Sequence, residues 1–213
     1  MKYERIFFFG DSITLGCDDS SGLGWPGRLV AKISKFEEKL AAYNLGINGD
    51  TSEHIKVRWR SELQARSREV SGLVIFAFGF NDAASVNGDN PQVDLVRSVG
   101  NAREILAEAS KLTDVFWLGP TPVDESVNPL VTEIATWQMY NQTISEYDQA
   151  YANLSDSLGI NYLSLYQIFI NNPQYQQALA TADKVHPADA GYALIAEAVA
   201  RWDKWQMMVG DTE

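Results

Sequence analysis

Four short polar clusters of the chain hold the side-chain types of a serine nucleophile and its helpers. They are Gly10-Asp11-Ser12, Asn48-Gly49-Asp50, Gly79-Phe80-Asn81-Asp82 and Asp183-Lys184-Val185-His186-Pro187. Hydrolysis of an ester by a serine needs a base for the hydroxyl proton, an acid that orients the base, and donors for the developing oxyanion. The four clusters together contain a candidate for each of these parts.

Ser12 is the candidate nucleophile of this set. His186 can be the base, and Asp183, three residues earlier, can hold the imidazole in one tautomer. Oxyanion donors can come from the backbone N–H of Ser12, the backbone N–H of Gly49 and the side-chain amide of Asn81. Gly49 suits this role because a residue without Cβ lets the backbone approach a ligand and tolerates a positive φ.

Short apolar runs precede three of the clusters and predict the strands that position them. Five strands are expected, over residues 6–9, 41–46, 73–78, 115–118 and 162–165. Parallel strands point the same way, so the first three clusters should gather at one edge of the sheet. This edge, outside the carboxyl ends of the strands, is where open α/β sheets bind their ligands.

Amphipathic segments between these runs predict helices that cover the sheet. Helices are expected after Trp25-Pro26, after a capping box of Asp50 and Glu53, after Pro91, over 130–158 and over 194–205. Gly159 is the expected C-cap of the long fourth helix, and residues 171–182 are expected to be a loop with one helical turn. The alternation predicts an α/β fold with a mostly parallel five-stranded sheet between two helical layers, in one domain over residues 1–213.

Composition narrows the classes of protein and partner. The 213 residues are 46% hydrophobic and 21% charged, which is typical of a globular domain with a full core. The formal net charge of −11 argues against nucleic acid and anionic membranes as partners, because phosphate binding needs clustered Lys and Arg. No segment is long and apolar enough for a signal-peptide core or a membrane span, so we expect no membrane insertion and a cytoplasmic location.

Metal sites receive little support from the residue types. Cys17 is the only cysteine, which excludes an internal disulfide and a multi-cysteine zinc site, and it is either a small loop side chain or a thiol beside the active site. Asp18 and Asp19 offer the oxygen ligands that magnesium and calcium prefer. We expect these two carboxylates to be solvated or to shape the pocket mouth, and whether their loop, Gly16 to Gly24, moves is left open.

In type and order, the four clusters resemble the motif blocks of the SGNH hydrolases, also called GDSL-type lipases and acylhydrolases. The similarity rests on Gly10-Asp11-Ser12-Ile13, on Gly49 before Asp50-Thr51, on Gly79-x-Asn81-Asp82 and on Asp183-x-x-His186-Pro187. It implies a flavodoxin-like three-layer α/β/α sandwich that uses no metal or cofactor. It also implies that acyl esters are hydrolysed through a covalent acyl-serine.

Two positions depart from the family pattern or leave it open. Phe80 stands where many members have a second glycine, and we expect it to narrow the pocket beside Asn81. Gly46 competes with Gly49 for the oxyanion role, although Gly49 matches the family block better because it directly precedes Asp-Thr. Together with Phe80, Trp25 and Trp137 are candidate linings of an acyl pocket.

The resemblance predicts a serine esterase for small carboxylic esters, and the segment 119–125 resembles one of small-ester hydrolases, which favours short acyl chains. Acetylated sugars, thioesters and lysophospholipids stay open as substrates, because a fold does not decide function. A non-catalytic flavodoxin-like binding domain is the alternative from another class, but it has no need of the Asp183–His186 pair. A nucleotide-handling enzyme is disfavoured, since no Gly-x-Gly-x-x-Gly follows a strand and no P-loop is present. The oligomeric state stays open.

Overall fold

The computed structural model describes residues 3–33, 40–68 and 71–209. Its central sheet has five parallel strands in the order β2-β1-β3-β5-β8: β1 Arg5–Gly10, β2 Ala41–Gly46, β3 Gly72–Ala77, β5 Asp114–Leu118 and β8 Asn161–Leu163. This is the strand order of flavodoxin-like doubly wound sheets. The predicted α/β fold is confirmed, and the sheet is wholly parallel.

Helices cover both faces of this sheet. They are α1 Ser12–Leu15, α2 Gly24–Ala31, α3 Ser52–Ser67, α4 Phe80–Ala83, α5 Leu95–Ala109, α6 Asn141–Leu158, α7 Leu165–Phe169, α8 Pro173–Ala180, α9 Ala188–Arg201 and α10 Asp203–Val209. Helices α3, α5 and α6 contribute to the core on one face, while α2 and α7 to α10 contribute to the core on the other. The three-layer sandwich is therefore the observed architecture.

Strand β1 lies at the centre of both cores. Phe7 and Phe9 point into the core that contains Trp59 of α3, whereas Ile6 and Phe8 point into the core that contains Trp25 of α2. Strands buried on both faces read as continuous apolar runs rather than as alternating ones. This explains why Ile-Phe-Phe-Phe ends directly at the Gly-Asp-Ser turn, with the serine held against a rigid strand.

The helix predicted over 130–158 is wrong in its first third. Leu130–Val131 (β6) and Thr136–Gln138 (β7) instead join Ser85–Val86 (β4) in a small antiparallel sheet of order β4-β7-β6. The segment is rich in β-branched residues, which favour strands when a partner strand is available. Only α6 is helical, and it ends at Gly159, whose φ of 66° makes it the predicted left-handed C-cap.

Three smaller predictions about helices are also wrong. Residues 171–182 contain a full helix, α8, because the Asn172 side chain caps it and Pro173 occupies its first turn. The capping box of α3 consists of Thr51 and His54, not of Asp50 and Glu53. The C-terminal helical segment is broken at Trp202 into α9 and α10.

Candidate active site

Ser12 lies where the chain turns abruptly from β1 into α1. Asp11 is the N-cap residue of α1, and its Oδ1 accepts a hydrogen bond of 3.0 Å from the N–H of Ile13. A Cβ atom at Gly10 would collide with the Thr14 side chain and the Ala77 carbonyl oxygen. The first turn of α1 can therefore lie directly on the ends of the strands, which fixes the Ser12 hydroxyl at the sheet edge.

Gly46 and Gly49 have different structural tasks. A Cβ atom at Gly46 would come within 2.8 Å of the carbonyl oxygen of Asp11, so this glycine allows α1 to pack on β2. Gly49 has a φ of 80° in an exposed turn, with nothing within 4 Å of the position of a Cβ. Its N–H points to no acceptor among the described residues, and the same holds for the N–H of Ser12. The N–H of Gly46, by contrast, donates to Asn44 Oδ1 at 3.1 Å, so of these two glycines only Gly49 has an N–H with no acceptor among the described residues.

The histidine loop closes on its own aspartate. Asp183 Oδ1 accepts the backbone N–H groups of Val185 (2.9 Å) and His186 (2.6 Å), and Asp183 Oδ2 lies 2.7 Å from His186 Nδ1. Lys184 adopts a left-handed φ of 72°, which tightens the turn. His186 Nε2 lies 2.8 Å from Ser12 Oγ, across 174 positions of sequence. The structure thus brings the predicted Ser12, His186 and Asp183 into one hydrogen-bonded chain.

Asn81, the third predicted oxyanion donor, connects the first two motif clusters. Its Nδ2 donates to the Asp50 carbonyl oxygen at 3.0 Å and lies 3.4 Å from Asp11 Oδ2. The second distance exceeds that of an ordinary N–H···O bond, so one amide hydrogen is only weakly engaged. Asn81 therefore lies between Asp50, which follows Gly49, and Asp11, which precedes Ser12.

A buried set of polar contacts behind these clusters was missed by the sequence reasoning. Asp82 accepts the N–H of Ser52 at 2.7 Å and so ties the third cluster to the start of α3. Arg58 pairs through Nε with Asp50 Oδ2 at 2.7 Å and donates through Nη2 to the Gly10 carbonyl oxygen at 3.1 Å. Nothing in the sequence distinguishes Arg58 from a solvated charge on a helix face, although its spacing of two helical turns from Asp50 is compatible with the contact.

Neighbouring carboxylates control the ionisation of the histidine. Burial alone would lower the pKa of His186, but the hydrogen bond and charge of Asp183, with the charges of Asp18 and Asp11, outweigh it and raise this pKa above 6.5. Burial would likewise raise the pKa of Asp183, but its hydrogen bonds with the His186 side chain and backbone lower it to about 2. These interactions therefore stabilise the imidazolium relative to that of a free histidine, and they keep Asp183 ionised.

The loop between α1 and α2 is anchored at several points. Asp19 forms a two-pronged ion pair with Arg28, one arm of which measures 2.9 Å, and accepts the N–H of Gly24 at 2.7 Å. Its side chain is buried rather than solvated, and its contacts shape the loop, which agrees with the second of the two roles expected for it. The spacing Gly22-x-Gly24-x-x-Gly27 at this point is not a phosphate cradle, because the Gly24 N–H is already used.

Cys17 and Asp18 lie at the start of this loop, on the side of the histidine. Burial, followed by the charges of Asp18, Asp11 and Asp183, raises the pKa of the Cys17 thiol, which disfavours a reactive thiolate. Asp18, Asp183 and His186 bring ligand atoms within 4.8 Å of one another, a grouping compatible with a cation. Because Nδ1 of His186 is already bonded to Asp183, we interpret the group as an orienting pair with a further carboxylate beside it.

The family assignment follows from a comparison with known proteins. Residues 8–194 match the sequence model of the GDSL-like lipase/acylhydrolase family. The chain belongs to this family. It is therefore an ester-hydrolysing serine hydrolase, as the resemblance predicted. Among the described residues of this acylhydrolase, no helix is long and apolar enough to cross a membrane.

Individual relatives of the acylhydrolase are distant in sequence but similar in fold. It is 24% identical to an acetylxylan esterase from Geobacillus stearothermophilus over 93% of each chain. A solved catalytic mutant of an acetylxylan esterase from that organism, with serine replaced by alanine, has a TM-score of 0.71 at 21% identity, over 99% of this chain and 97% of that one. Other catalytic mutants of that esterase replace a histidine or an aspartate. A lipase/acylhydrolase from Enterococcus faecalis has a TM-score of 0.74 at 22% identity, covering 92% and 93%.

Large side chains fill the space behind the nucleophile of the acylhydrolase. Trp25 is fully buried and packs edge-on against Phe8, so it belongs to the core rather than to an open pocket. Phe80 is only 4% exposed. Together with Asp11 and Ile13, these two side chains line a small pocket of about 10 Å³, which is space for about one water molecule. Trp137 is half-buried on β7, in the small antiparallel sheet.

Asp11 gives the site a pH-dependent cost in stability. Burial raises the pKa of the Asp11 carboxyl to about 7, although the N–H of Ile13 and the charge of His186 act against the rise. As the pH rises from about 4 to 7, the unfolded chain loses a proton that the folded protein still holds at Asp11. The free energy of unfolding therefore falls through this window.

Asp11→Asn should remove this titration while keeping the side-chain acceptor that caps α1. We expect the free energy of unfolding of the variant, relative to that of the wild type, to rise by about 2 kcal/mol between pH 5 and pH 8. Urea unfolding at both pH values measures this difference. Asp156→Asn, which removes an exposed carboxylate on α6, is the control. A difference between wild type and Asp11→Asn that does not change with pH would contradict the assignment.

Proposed function

We propose that the enzyme hydrolyses small carboxylic esters, acetyl esters foremost, through an acyl intermediate on Ser12. The observation that carries the proposal is the continuous hydrogen-bonded chain from Ser12 Oγ through His186 to Asp183, with distances of 2.8 and 2.7 Å. A non-catalytic binding domain has no use for this arrangement. The serine, histidine and aspartate whose replacement defines the catalytic mutants of the acetylxylan esterase are the same three residue types.

In the first half of the reaction, neutral His186 accepts the Ser12 proton on Nε2 while Oγ attacks the acyl carbon. The carbonyl π electrons move to the oxygen, which becomes an oxyanion bound by the N–H groups of Ser12 and Gly49 and by the Asn81 amide. Asp183 stabilises the imidazolium that has formed. When the tetrahedral species collapses, the bond to the alcohol oxygen breaks, and His186 gives its proton to that oxygen.

In the second half, a water molecule takes the place of the alcohol. His186 removes one of its protons as the water oxygen attacks the acyl carbon, and the same donors bind the second oxyanion. Collapse breaks the bond between the acyl carbon and Ser12 Oγ, which recovers its proton from His186. Every catalytic group in this cycle is a side chain or a backbone N–H of the chain, so the mechanism needs no metal or cofactor.

The space around the nucleophile supports a short acyl group. Trp25 and Phe80 are almost fully buried beside Asp11, and the small pocket that they line with Ile13, about 10 Å³, has room for about one water molecule. A long acyl chain would have to displace core side chains or extend into solvent, where its burial brings no gain. The similarity to an acetylxylan esterase supports an acetylated carbohydrate as one substrate, in which the sugar is the alcohol part of the ester.

Further assignments stay predictions from the sequence. We propose that residues 1–213 act as one catalytic domain, which is supported by two cores that share the same five-stranded sheet. We propose a cytoplasmic location and the lack of a nucleic-acid partner, and the charge of −11 supports the second of these. Thioesters and lysophospholipids stay open as alternative substrates, and an activity panel would compare their rates of hydrolysis with those of small esters.

The acyl preference is tested with p-nitrophenyl acetate, butyrate and octanoate, assayed for the initial burst and the steady state. We expect kcat/KM to be highest for the acetate and lowest for the octanoate, because the closed interior offers no room for the longer chain. Ser12→Ala should abolish the burst and reduce turnover to background. Equal rates for all three esters would contradict the small pocket, and full activity of Ser12→Ala would overturn the proposed nucleophile.

The oxyanion role is tested with Asn81→Ala. Loss of one donor to an oxyanion typically lowers kcat by about 10²–10³-fold, with a smaller effect on KM, and we expect a loss in this range. Asn90→Ala, in an exposed loop, is the matched control and should keep the wild-type rate. If the Asn81 and Asn90 variants were equally active in a steady-state assay, Asn81 would not bind the oxyanion.

A further inference from the structure

A second carboxylate lies beside the histidine. Asp18 Oδ2 is 3.8 Å from His186 Nδ1, on the same ring nitrogen that bonds to Asp183 at 2.7 Å. The Asp18 side chain is 55% exposed, while that of His186 is only 16% exposed. The Asp18 carboxylate is therefore a second anion beside Nδ1 of the imidazole, and the proposed mechanism does not use it.

The loop of Asp18 is held to the same helix that follows the histidine. Tyr192 of α9 donates its hydroxyl to the Cys17 carbonyl oxygen at 2.7 Å, and Asp189 of α9 accepts the N–H of Ser20 at 2.7 Å. The residues on both sides of Asp18 are thus fixed relative to His186. This anchoring explains why the carboxylate stays near the ring although it is largely exposed.

The backbone at Asp18 adopts a sparsely populated conformation. Its φ is 61°, in the left-handed region, which is uncommon for residues other than glycine although aspartate and asparagine tolerate it best. Such conformations persist only where surrounding contacts determine them, and they cluster at functional sites. Here the conformation directs a carboxylate toward the imidazole.

We propose that Asp18 is a positioning residue that acts on His186 as a second carboxylate. It stabilises the imidazolium together with Asp183, and it supports Nδ1 when Asp183 is lost. This inference rests on the proposed function of His186 as the base. The charged groups that face the imidazole are Asp183 in its own loop, Asp18 in the loop after α1 and Asp11 at the cap of α1. The Lys184 ammonium is directed instead to Ser126, at 2.8 Å.

Asp18→Asn tests this role without forcing the backbone out of the left-handed region. Its carboxylate stabilises both the protonated free enzyme and the transition state, so its removal should lower the plateau of kcat/KM about threefold. The pH midpoint of the acid limb should fall by about half a unit, with little change in rate at low pH. Asp18→Gly, which suits the same φ, should behave alike, and thermal unfolding verifies that both variants are folded.

The decisive comparison is made in the Asp183→Asn background. There Asp18 is the remaining carboxylate at Nδ1, so adding Asp18→Asn should cost at least about tenfold in kcat/KM, more than it costs alone. Asp156→Asn removes a distant charge and should change neither the pH midpoint nor the rate. If the Asp18 variants matched Asp156→Asn in both backgrounds, the inference would be wrong. If Asp183→Asn itself kept full activity, the proposed role of the Asp183–His186 pair would fail first.

Discussion

The structure depends on one constraint, that Ser12 and His186, which are 174 positions apart in the sequence, must meet to within a hydrogen bond at the edge of the sheet. Ser12 follows the first strand and His186 precedes a late helix, yet their side chains lie 2.8 Å apart. Parallel strands make this possible because all their carboxyl ends face one crevice. The Asp183 carboxylate completes the arrangement by closing the histidine loop and bonding the imidazole at once. One side chain therefore sets both the loop conformation and the direction of the ring.

The nucleophile differs from the histidine in how it is positioned, because close packing of the backbone, rather than a loop, fixes Ser12. Gly10 and Gly46 allow α1 to lie on the strand ends, while Arg58 joins the Gly10 carbonyl oxygen to the Asp50 carboxylate. Asn81 bonds to the backbone of Asp50 in turn. Strain or movement in one motif cluster would thus be transmitted to the others. The interior behind them is filled by aromatic side chains, which restricts what an acyl group can occupy.

Negative charge is concentrated around the imidazole. Asp183, Asp18 and Asp11 approach it from separate parts of the chain, and together they raise the pKa of His186 despite its burial. The buried Asp11 lowers the free energy of unfolding at pH values above the usual range of carboxyl pKa values. A site adapted only for stability would avoid this cost. This combination suits a base that must carry a positive charge during each catalytic cycle.

The sheet could be predicted from sequence because continuous apolar runs end at polar clusters. The meeting of Ser12 with Asp183 and His186 could be predicted only from their residue types and the family resemblance, since the histidine cluster follows no apolar run. The small sheet of β4, β6 and β7 could not, since its strands are two or three residues long and β4 pairs with β7, which lies about fifty positions further along the chain. Helix α8 was predictable from its Asn-Pro start, but its polar composition concealed it. The contacts of Arg58 and the approach of Asp18 to the histidine depend on tertiary placement, which no local pattern encodes.

In the proposed mechanism, Ser12 carries the acyl group during turnover. The most direct measurement mixes the enzyme with p-nitrophenyl acetate, quenches within the burst by acid, and maps the acetyl group by peptide mass spectrometry. We expect one acetyl group on the hydroxyl of Ser12, and none in Ser12→Ala or in an enzyme that was unfolded before mixing. Turnover at the wild-type rate with no adduct on Ser12, or with the adduct on another residue, would contradict it.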